Sequence, residues 1–444
     1  MKTTVNTNKT MAMEKLVEEL RRELPAPFPV AEYEARWARV REAMAVAGVD
    51  TLLVSNPADI CYLTGAQTSW YHDGGPAEWV PESAVALRVD EPTPLVFDDE
   101  DESLLILGTA HAPNLRVLPN AAVEAALEGV GRLAPDEAGF AQASDYVVEI
   151  LRDDGWLRGR IGLQLGSYRP NPRYTTELTA KLQANGGTVV DGTAVMPSVT
   201  RFKSPLELAC VREAARIGDA GLLAAAGTIA EGVTELEVWA AATSAMAALG
   251  GELSALPGMV NSGPKNACLH GLAGRRRLCR GDIVNIDMCG VYNRYHSNLA
   301  RSIYLGEPPG WLRTAMDRPR QLAEAVRSEM RPGMALRELL ELNERLGKKL
   351  GIWQDQWWLG GYDLGIALAP DWVGYHYFSA ELDPGEQTLE PGMVMNTEWN
   401  FYLPRGAGVR ELIDTVIVTE EAVEFPHKVP LELIVVPAEG GTAG

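Results

Sequence analysis

The sequence predicts two different domains in series, an α/β domain followed by an α+β domain. In the first half, short apolar runs alternate with amphipathic stretches, which is the pattern of alternating strands and helices. Near residue 196 the pattern changes to two consecutive Ala-rich helices, and two long apolar strands follow near the end of the chain. These observations predict an N-terminal arm at residues 1–26, an α/β domain at 27–195 and an α+β domain at 196–444.

Hydrophobic spacing predicts the elements of the arm and the first domain. Met13–Leu24 alternates charged with apolar positions, which is typical of a short amphipathic helix. Glu137–Asp153 is also helical in pattern. The helix that opens the α/β domain is predicted by apolar residues three or four positions apart, namely Val30, Tyr33, Trp37, Val40 and Met44. Strands are predicted in the runs VDTLLVS, SAVALRV, TPLVFDD, LRVLPN and RIGLQLG.

Capping signals define the start of the second domain. Ser204-Pro205 predicts a helix start, because Pro is favoured in the first turn. Thr234 precedes an acidic first turn and is therefore expected to cap the next helix. Further on we expect paired strands in Asp282–Leu305, helices at Leu312–Met330 and Ala335–Leu350, and strands within GMVMNTEWNFYL and ELIDTVIVTEE.

The composition is that of a globular protein with an acidic surface. The 444 residues carry a formal net charge of −20, and 46% of them are hydrophobic. An acidic surface repels nucleic acid and anionic membranes, so neither is expected as a partner. The N-terminus lacks the apolar segment of a signal peptide, and the five cysteines contain no CxxC pair and argue against a disulfide framework. We therefore expect a cytoplasmic protein.

Three segments together resemble the creatinase/aminopeptidase P-like family, whose catalytic domain has the pita-bread fold. They are RFKSPLELACVREAARIGD, RGDIVNIDM within the paired strands, and LEPGMV before the late strands. The resemblance covers about residues 27–430 and includes the smaller N-terminal domain of the creatinase and prolidase branch. GGYDLGIALAPDW and RYHSNLARS look most like the ectoine hydrolase-like branch. The resemblance implies an α/β N-terminal domain and an α+β pita-bread catalytic domain.

Metallopeptidases of this family hold two metal ions with two Asp, one His and two Glu. By position, Asp287 matches the first Asp and Glu398 the first Glu. Asn298 stands at the second Asp, Ala369 at or near the His, and Ile413 at the last Glu. About three of five ligands are thus replaced by side chains that bind divalent ions poorly or not at all. We expect no metal pair and no other cofactor.

The resemblance implies catalytic roles for His270, Glu398 and Glu411. His270 matches the family's proton shuttle, and an imidazole can take a proton from water and return it to a leaving nitrogen. A carboxylate at Glu398 or Glu411 would bind a cationic nitrogen or orient water. The plainer interpretations are a loop His without a role and carboxylates paired with nearby arginines, namely Arg294, Arg405 or Arg410.

Asp287, His296, Asn298 and His376 are predicted to bind substrate. His296 and Asn298 are two positions apart, so on a regular strand they share a face. His376 follows the segment that replaces the family's metal-binding His, and it is a candidate for that lost imidazole. A surface position for His296 and a structural role for Asp287 remain open alternatives.

Aromatic residues cluster around these segments and suggest a binding wall for a cation. Tyr362, Trp372 and Trp399 are the candidates, because aromatic faces attract cations, although core packing is the default for any single Trp. In creatinase-like dimers the N-terminal domain reaches the partner's active site. That resemblance makes Trp70 and His72, in the aromatic loop SWYHDGGPAEW, candidates for a shared pocket.

The sequence therefore predicts a homodimeric, metal-independent hydrolase. Its substrate would be a small cationic or zwitterionic molecule, an amidine-, guanidino- or amide-bearing amino-acid derivative in which a C–N bond is cleaved. Three alternatives stay open: a metal-dependent Xaa-Pro dipeptidase, a lyase acting on a small carboxylate substrate, and a non-catalytic small-molecule-binding protein.

Overall fold

A computed structural model describes residues 7–67, 83–118, 140–166 and 172–437. The chain divides into two compact units, Met1–Thr200 with Leu368–Pro370, and Arg201–Ala367 with Asp371–Gly444. The sequence analysis placed the boundary after residue 195. The structure ends the first unit with one further short helix, Val195–Thr200.

The first unit contains a mixed sheet. Its described helices are α1 (Thr7–Glu23), α2 (Val30–Ala47), α3 (Pro57–Thr64), α4 (Glu100–Thr109), α5 (Phe140–Asp153), α6 (Pro172–Ala184) and α7 (Val195–Thr200). Its described strands are β1 (Thr51–Val54), β2 (Ala84–Arg88), β3 (Leu95–Asp99), β4 (Leu115–Leu118), β5 (Arg160–Leu163) and β6 (Thr188–Asp191). The sheet order is β4-β3-β2-β1-β5-β6, with parallel pairs at β3–β4, β1–β5 and β5–β6. The predicted α/β class is confirmed.

The apolar stripe of α2 packs as its spacing predicts. Tyr33, Trp37, Val40 and Met44 are buried, whereas Val30 in the first turn is half exposed. Each of the five predicted strand runs contains one of β1 to β5. The predicted helix Glu137–Asp153 is described from Phe140, and its first three positions lie outside the described residues.

The second unit contains four described helices and a larger sheet. The helices are α8 (Pro205–Thr228), α9 (Glu235–Ala248), α10 (Gly310–Glu329) and α11 (Leu336–Leu350). The described strands are β7 (Met259–Ser262), β8 (Ile283–Tyr292), β9 (Tyr295–Leu305), β10 (Gln356–Tyr362), β11 (Tyr377–Ser379), β12 (Val394–Tyr402), β13 (Val409–Arg410), β14 (Ile413–Val418), β15 (Val423–Glu424) and β16 (Ile434–Val436). The main sheet order is β11-β10-β12-β14-β9-β8-β7, and the predicted α+β class is confirmed.

Both predicted helix starts are capping boxes. The Ser204 hydroxyl accepts from the Glu207 amide, while the Glu207 carboxylate accepts from the Ser204 amide. Thr234 and Glu237 form the same reciprocal pair at the start of α9. Two of the otherwise unpaired amides at each helix start are thereby satisfied.

Strands β8 and β9 form a hairpin with a two-residue turn. Asn293 and Arg294 at the turn have φ angles of 49° and 64°, the left-handed conformation that such turns require. Arg294 is not a residue that favours this region. Its amide donates to Glu252 Oε2 (2.7 Å), and its guanidinium donates to the Leu253 and Ala367 carbonyls. These bonds hold the turn, and with it the register of both strands.

The larger sheet has one apolar face and one polar face. Alternate residues of β8 and β9 enter one core cluster, including Ile286, Met288 and Leu299. Alternate residues of β12 and β14 enter another cluster, including Met395, Trp399 and Val416. The residues between them, with period two, point to the opposite face. None of the described helices is both long enough and apolar enough for a membrane-spanning segment.

Candidate active site

The polar face of the larger sheet gathers Asp287, Asn298 and Glu398. Asp287 lies opposite Ala300, and Cys289 lies opposite Asn298, in the β8–β9 ladder. Because directly opposed residues and alternate residues share a face, Asp287 and Asn298 point to the same side. Asp287, Asn298 and Glu398 are all buried.

A chain of carboxamides joins the two acids across the sheet. Asn298 Nδ2 donates to Asp287 Oδ1 (2.7 Å), and Asn298 Oδ1 accepts from Asn396 Nδ2 (3.0 Å). Asn396 Nδ2 also donates to Glu398 Oε1 (2.8 Å). Glu398 Oε2 accepts from Asn400 Nδ2 (2.8 Å). Each carboxyl group thus has amide donors as partners rather than a cation.

Glu411 is held beside this chain by its backbone. Its amide donates to Ser302 Oγ (3.1 Å), and Ser302 in turn donates to Asn285 Oδ1. Asn285 Nδ2 donates to the Val409 carbonyl (2.9 Å), which fixes the residues just before Glu411. Glu411 is 2% exposed, and its Oε2 atom accepts no hydrogen bond from the described residues. A buried carboxylate oxygen without a donor is costly, so it marks a place for a ligand.

Burial and mutual repulsion keep these carboxyl groups from ionising readily. Burial raises the pKa of Asp287 to about 7, partly offset by the Asn298 hydrogen bond. Burial and the Asp287 charge raise the pKa of Glu398 to about 8. For Glu411, burial and then the charges of Asp287 and Glu398 raise the pKa well above its usual value. The three acids therefore lie within electrostatic reach of one another, and a bound cation would favour their ionised forms.

Tyr362 and Trp372 lie beside the acids. Trp372 Nε1 donates to the Tyr362 hydroxyl (3.1 Å), and the Tyr362 amide donates to Asn396 Oδ1 (2.8 Å). Burial, followed by the Glu398 and Asp287 charges, raises the pKa of Tyr362 well above its usual value. The phenol therefore stays protonated, and its oxygen accepts the Trp372 hydrogen bond.

His270 lies on the loop that follows β7, and its ring is exposed. The ring makes an edge-to-face contact with Trp357, with centroids 5.9 Å apart. Leu272, two positions after His270, forms an isolated β-bridge with Met259 on β7, and Met259 pairs with Asp287 on β8. The backbone at Leu272 is therefore two strand spacings, roughly 10 Å, from β8.

A buried glutamate holds the loop that carries His270. Glu235 accepts from the Ser262 amide (3.1 Å) and hydroxyl (2.6 Å) before the loop, and from the Gly274 amide (2.9 Å) after it. Lys265, within the loop, forms an ion pair with the same carboxylate. The two ends of the loop are therefore tied to one side chain.

His296 and His376, the other two predicted histidines, differ in the hydrogen bonds that their ring nitrogens make. His296 Nδ1 donates to the Arg294 carbonyl (2.8 Å), and Nε2 accepts from the Ala255 amide (3.0 Å). Burial and the Arg294 charge lower the pKa of His296 to about 3, so this ring is neutral and both nitrogens are engaged. His376 Nδ1 lies 2.7 Å from Asp363 Oδ2, and the side chain is partly exposed.

The structure does not bring all the predicted aromatic residues to the polar face. Trp399 follows Glu398 on β12 and therefore points to the opposite, apolar face, where its Nε1 donates to Asn343 Oδ1 (2.9 Å). Strand alternation separates it from the acids. The other two candidates, Trp70 and His72, lie outside the described residues.

Asn396, Asn400 and Cys289 were missed by the sequence analysis. Cys289 lies opposite Asn298, and burial together with the Asp287 charge raises the pKa of its thiol, which stays protonated. The signal for the two asparagines was present in MNTEWN, where they flank Glu398 two positions away on either side. On a strand that spacing puts all three side chains on one face.

Two protein-family models match the chain. The model of the Creatinase/Prolidase N-terminal domain matches residues 36–163, and the model of metallopeptidase family M24 matches residues 209–420. The chain belongs to the creatinase/aminopeptidase P-like, pita-bread family of hydrolases.

Curated relatives span nearly the whole chain at modest identity. The "uncharacterized hydrolase/peptidase y4tL" of Sinorhizobium fredii is 29% identical over 426 residues, covering 93% of this chain and 98% of that protein. Ectoine hydrolase of Halomonas elongata is 26% identical over 435 residues, covering 92% and 98%. The solved Xaa-Pro dipeptidase from Bacillus anthracis is 22% identical with a TM-score of 0.70, covering 91% of this chain and all of that one, and it shows the shared fold.

The residues at the family's metal positions do not fit a metal pair. The described residues contain no group of three or more His, Cys, Asp or Glu side chains arranged to hold a metal ion. Asn298 directs its amide nitrogen, a donor, at Asp287. Ile413, at the last Glu position, lies opposite Glu398 and has no ligand atom. Hard divalent ions need oxygen or imidazole ligands that this arrangement does not provide.

Proposed function

We propose that this protein is a metal-independent hydrolase that cleaves a C–N bond in a small cationic or zwitterionic amino-acid derivative. The substrate class is an amidine, guanidino compound or amide. The observation that carries the proposal is the buried set of three carboxyl groups, Asp287, Glu398 and Glu411. Amides donate to the first two, and one Glu411 oxygen has no donor among the described residues.

A delocalised cation suits this arrangement better than a metal ion does. An amidinium or guanidinium presents planar N–H donors, and carboxylates accept such donors in pairs. Asn298, Asn396 and Asn400 already donate to oxygens of Asp287 and Glu398, while Glu411 Oε2 has no donor among the described residues. Tyr362 and Trp372 add an aromatic wall beside the acids, where a cation is further stabilised.

In the proposed reaction His270 moves the proton. Its imidazole removes a proton from water, and the water oxygen forms a bond to the amidine, guanidine or amide carbon. The C–N bond then breaks, and the proton held on His270 passes to the departing nitrogen. The carboxylates bind the cationic group, and positioning of water and substrate supplies the rest of the rate enhancement. Ectoine is among the substrates tested below because one relative is an ectoine hydrolase.

The proposal includes the setting of the enzyme. We expect a cytoplasmic homodimer that needs no dissociable cofactor and binds neither nucleic acid nor membranes. The segment with Trp70 and His72 lies outside the described residues, and its contribution to a partner's pocket is part of the proposal. Light scattering during gel filtration measures the oligomeric state directly.

The experiment that tests the proposed activity uses metal-stripped protein. Ectoine, creatine and glycylproline are incubated with it in water labelled with ¹⁸O, with metal content measured in the same sample. Cleavage of ectoine or creatine with ¹⁸O in the product, at less than stoichiometric metal, supports the proposal. Product without ¹⁸O indicates a lyase, and glycylproline cleavage only after manganese is added indicates a dipeptidase.

Paired variants keep this experiment interpretable. His270→Ala should abolish turnover, whereas Glu420→Gln, on an exposed turn, should leave it unchanged. Binding of creatine or ectoine without turnover, equal in the His270→Ala variant and its parent, indicates a binding protein and contradicts the proposal.

A further inference from the structure

The hydroxyl of Thr415 replaces main-chain pairing between β14 and β9 at Asn298. The described ladder between these strands pairs Ile413 with Ala300. At the next position the Asn298 amide donates to Thr415 Oγ1 (2.8 Å), and Thr415 Oγ1 donates to the Asn298 carbonyl (2.9 Å). A single side chain therefore holds both main-chain polar groups of the residue whose carboxamide joins the acids.

Thr415 is itself held by a buried chain of three more residues. Ser297 Oγ lies 3.0 Å from Thr415 Oγ1 and 3.1 Å from His427 Nε2. His427 Nδ1 lies 2.8 Å from Asp219 Oδ1, and Asp219 Oδ2 accepts from the Lys428 amide (2.7 Å). Ser297, His427 and Asp219 are all buried.

Two glycines allow α8 to bring Asp219 to this place. Gly290 lies opposite Ser297 in the β8–β9 ladder, and a Cβ atom on Gly290 would overlap the Ala214 carbonyl and the Gly218 amide. A Cβ on Gly218 would lie 3.1 Å from the Gly290 nitrogen. Helix and strand therefore approach at the backbone level, and Asp219 follows directly in the sequence.

The Ser297–His427–Asp219 set has the connectivity of a serine-hydrolase triad, but it cannot act as one in this structure. Ser297 has no exposed surface, so a substrate carbonyl cannot reach its oxygen. Its hydroxyl also faces two hydrogen-bond partners, Thr415 and His427. The set links Ser297 on β9 to Asp219 on α8.

Counting hydrogens gives the direction of the chain. The Thr415 proton goes to the Asn298 carbonyl, so the contact between Ser297 and Thr415 uses the Ser297 proton. His427 Nδ1 donates to Asp219, whose other oxygen accepts from the Lys428 amide. The direction of the remaining contact, between Ser297 Oγ and His427 Nε2, follows the tautomer of the ring.

We infer that Asp219, His427, Ser297 and Thr415 are positioning residues that fix Asn298 for the proposed reaction. They touch neither the acids nor a substrate. They set the backbone from which the Asn298 carboxamide donates to Asp287 and accepts from Asn396. This assignment rests on the proposed function for its catalytic consequence, but the hydrogen-bonded chain can be tested without it.

The first test reads the protonation of His427 directly. The chain has six histidines, so ¹⁵N-histidine labelling gives a spectrum with few ring signals. We expect His427 to carry hydrogen on Nδ1, the nitrogen that faces Asp219, and its signal is assigned by loss in His427→Gln. His296 is the internal comparison, because its contacts require a neutral ring with hydrogen on Nδ1. A His427 ring without hydrogen on Nδ1 would overturn the chain.

The second test removes the Thr415 hydroxyl and uses a matched control. Thr419, near the end of β14, makes the same two bonds to Ala422, accepting from its amide (3.0 Å) and donating to its carbonyl (2.8 Å). Thr415→Val should speed amide exchange at Asn298 and lower kcat/KM about tenfold or more on the probe that the wild type turns over. Thr415→Ser should restore both, and Thr419→Val should change neither.

The outcomes separate this inference from the proposed function. If the wild type turns over none of ectoine, creatine and glycylproline, the proposed activity fails, while histidine protonation and amide exchange still decide whether the chain exists. If the Asn298 amide exchanges in Thr415→Val at the wild-type rate, the inference that Thr415 holds the Asn298 main chain is wrong. If activity falls equally in Thr419→Val, or fails to recover in Thr415→Ser, the positioning role is wrong.

Discussion

The Asn298 side-chain nitrogen lies 2.7 Å from Asp287 Oδ1 and donates a hydrogen bond to it, at the place where the family's metallopeptidases put two carboxylates on metal ions. The neutral amide gives the buried Asp287 carboxyl group a hydrogen-bond donor where those relatives have a metal ion. One nitrogen in place of one oxygen thus converts a pair of ligands into a donor and an acceptor.

Asn298→Asp should restore a pair of carboxyl groups at this position and destabilise the protein when no metal is present. Two buried carboxyl groups would then face each other without a donor, and we expect the free energy of unfolding in EDTA to fall by about 2 kcal/mol. Added manganese should recover part of the loss, because two carboxylates attract a divalent ion. Thermal unfolding with EDTA or with manganese measures this. A melting temperature equal to that of the wild type in EDTA would contradict the stabilising role of the amide.

Glu411→Gln should stabilise the protein at alkaline pH and abolish cation binding. The folded-state pKa of Glu411 is raised, so wild-type stability is greatest below the unfolded value, about 4.3, and falls as the pH rises towards the folded pKa. Gln mimics the protonated acid and avoids this loss of stability.

Thermal unfolding of Glu411→Gln and wild type across pH 4.5 to 8 measures the difference in their stability. This difference should become smaller as the pH falls. Glu420→Gln is the control, because Glu420 is exposed. A stability difference that does not change with pH would show that folding does not raise the pKa of Glu411.

Cation binding should release protons. Near pH 6.5 the acids with pKa values of about 7 and 8 still hold protons that a bound amidinium would displace. Affinity for acetamidinium should therefore increase between pH 6 and pH 8. Calorimetry in two buffers of different ionisation enthalpy counts the protons, and zero release at pH 6.5 would exclude the acids as the binding site.

Gly290→Ala should destabilise the protein, while Gly227→Ala should not. A Cβ at Gly290 would overlap the backbone of α8, and α8 and β8 would have to separate. We expect a loss of about 3 kcal/mol or more, as for overpacked cores. A Cβ at Gly227 meets nothing within 4 Å, and Ala there should stabilise the helix by up to about 1 kcal/mol. Denaturant unfolding compares the two variants.

The sequence predicted the parts of the fold that depend on local chemistry. Capping at Ser204 and Thr234 and the period of α2 involve residues within a few positions of each other, and all were confirmed. The position of Trp399 illustrates the limit. It is adjacent to Glu398 in sequence, but it packs on the other face because strand side chains alternate.

Contacts between distant residues could not be predicted from one sequence. His427 and Asp219 are 208 positions apart, and no local pattern marks either residue as part of a chain. Their meeting depends on the close approach of α8 and β8 at Gly218 and Gly290, which is a property of the packed fold. By contrast, Asn396 and Asn400 were predictable in principle from their spacing around Glu398.

The amides that link Asp287 to Glu398 also make the polar face behave as one unit. Asn396 donates to both Asn298 and Glu398, so rotating any one carboxamide forces its neighbours to exchange donor for acceptor. Substitutions along this row will therefore be strongly non-additive. Once one hydrogen bond of the row has changed direction, a second substitution should lower the stability little further. Evolution along this row would therefore have to proceed by compensated pairs of substitutions rather than by independent single steps.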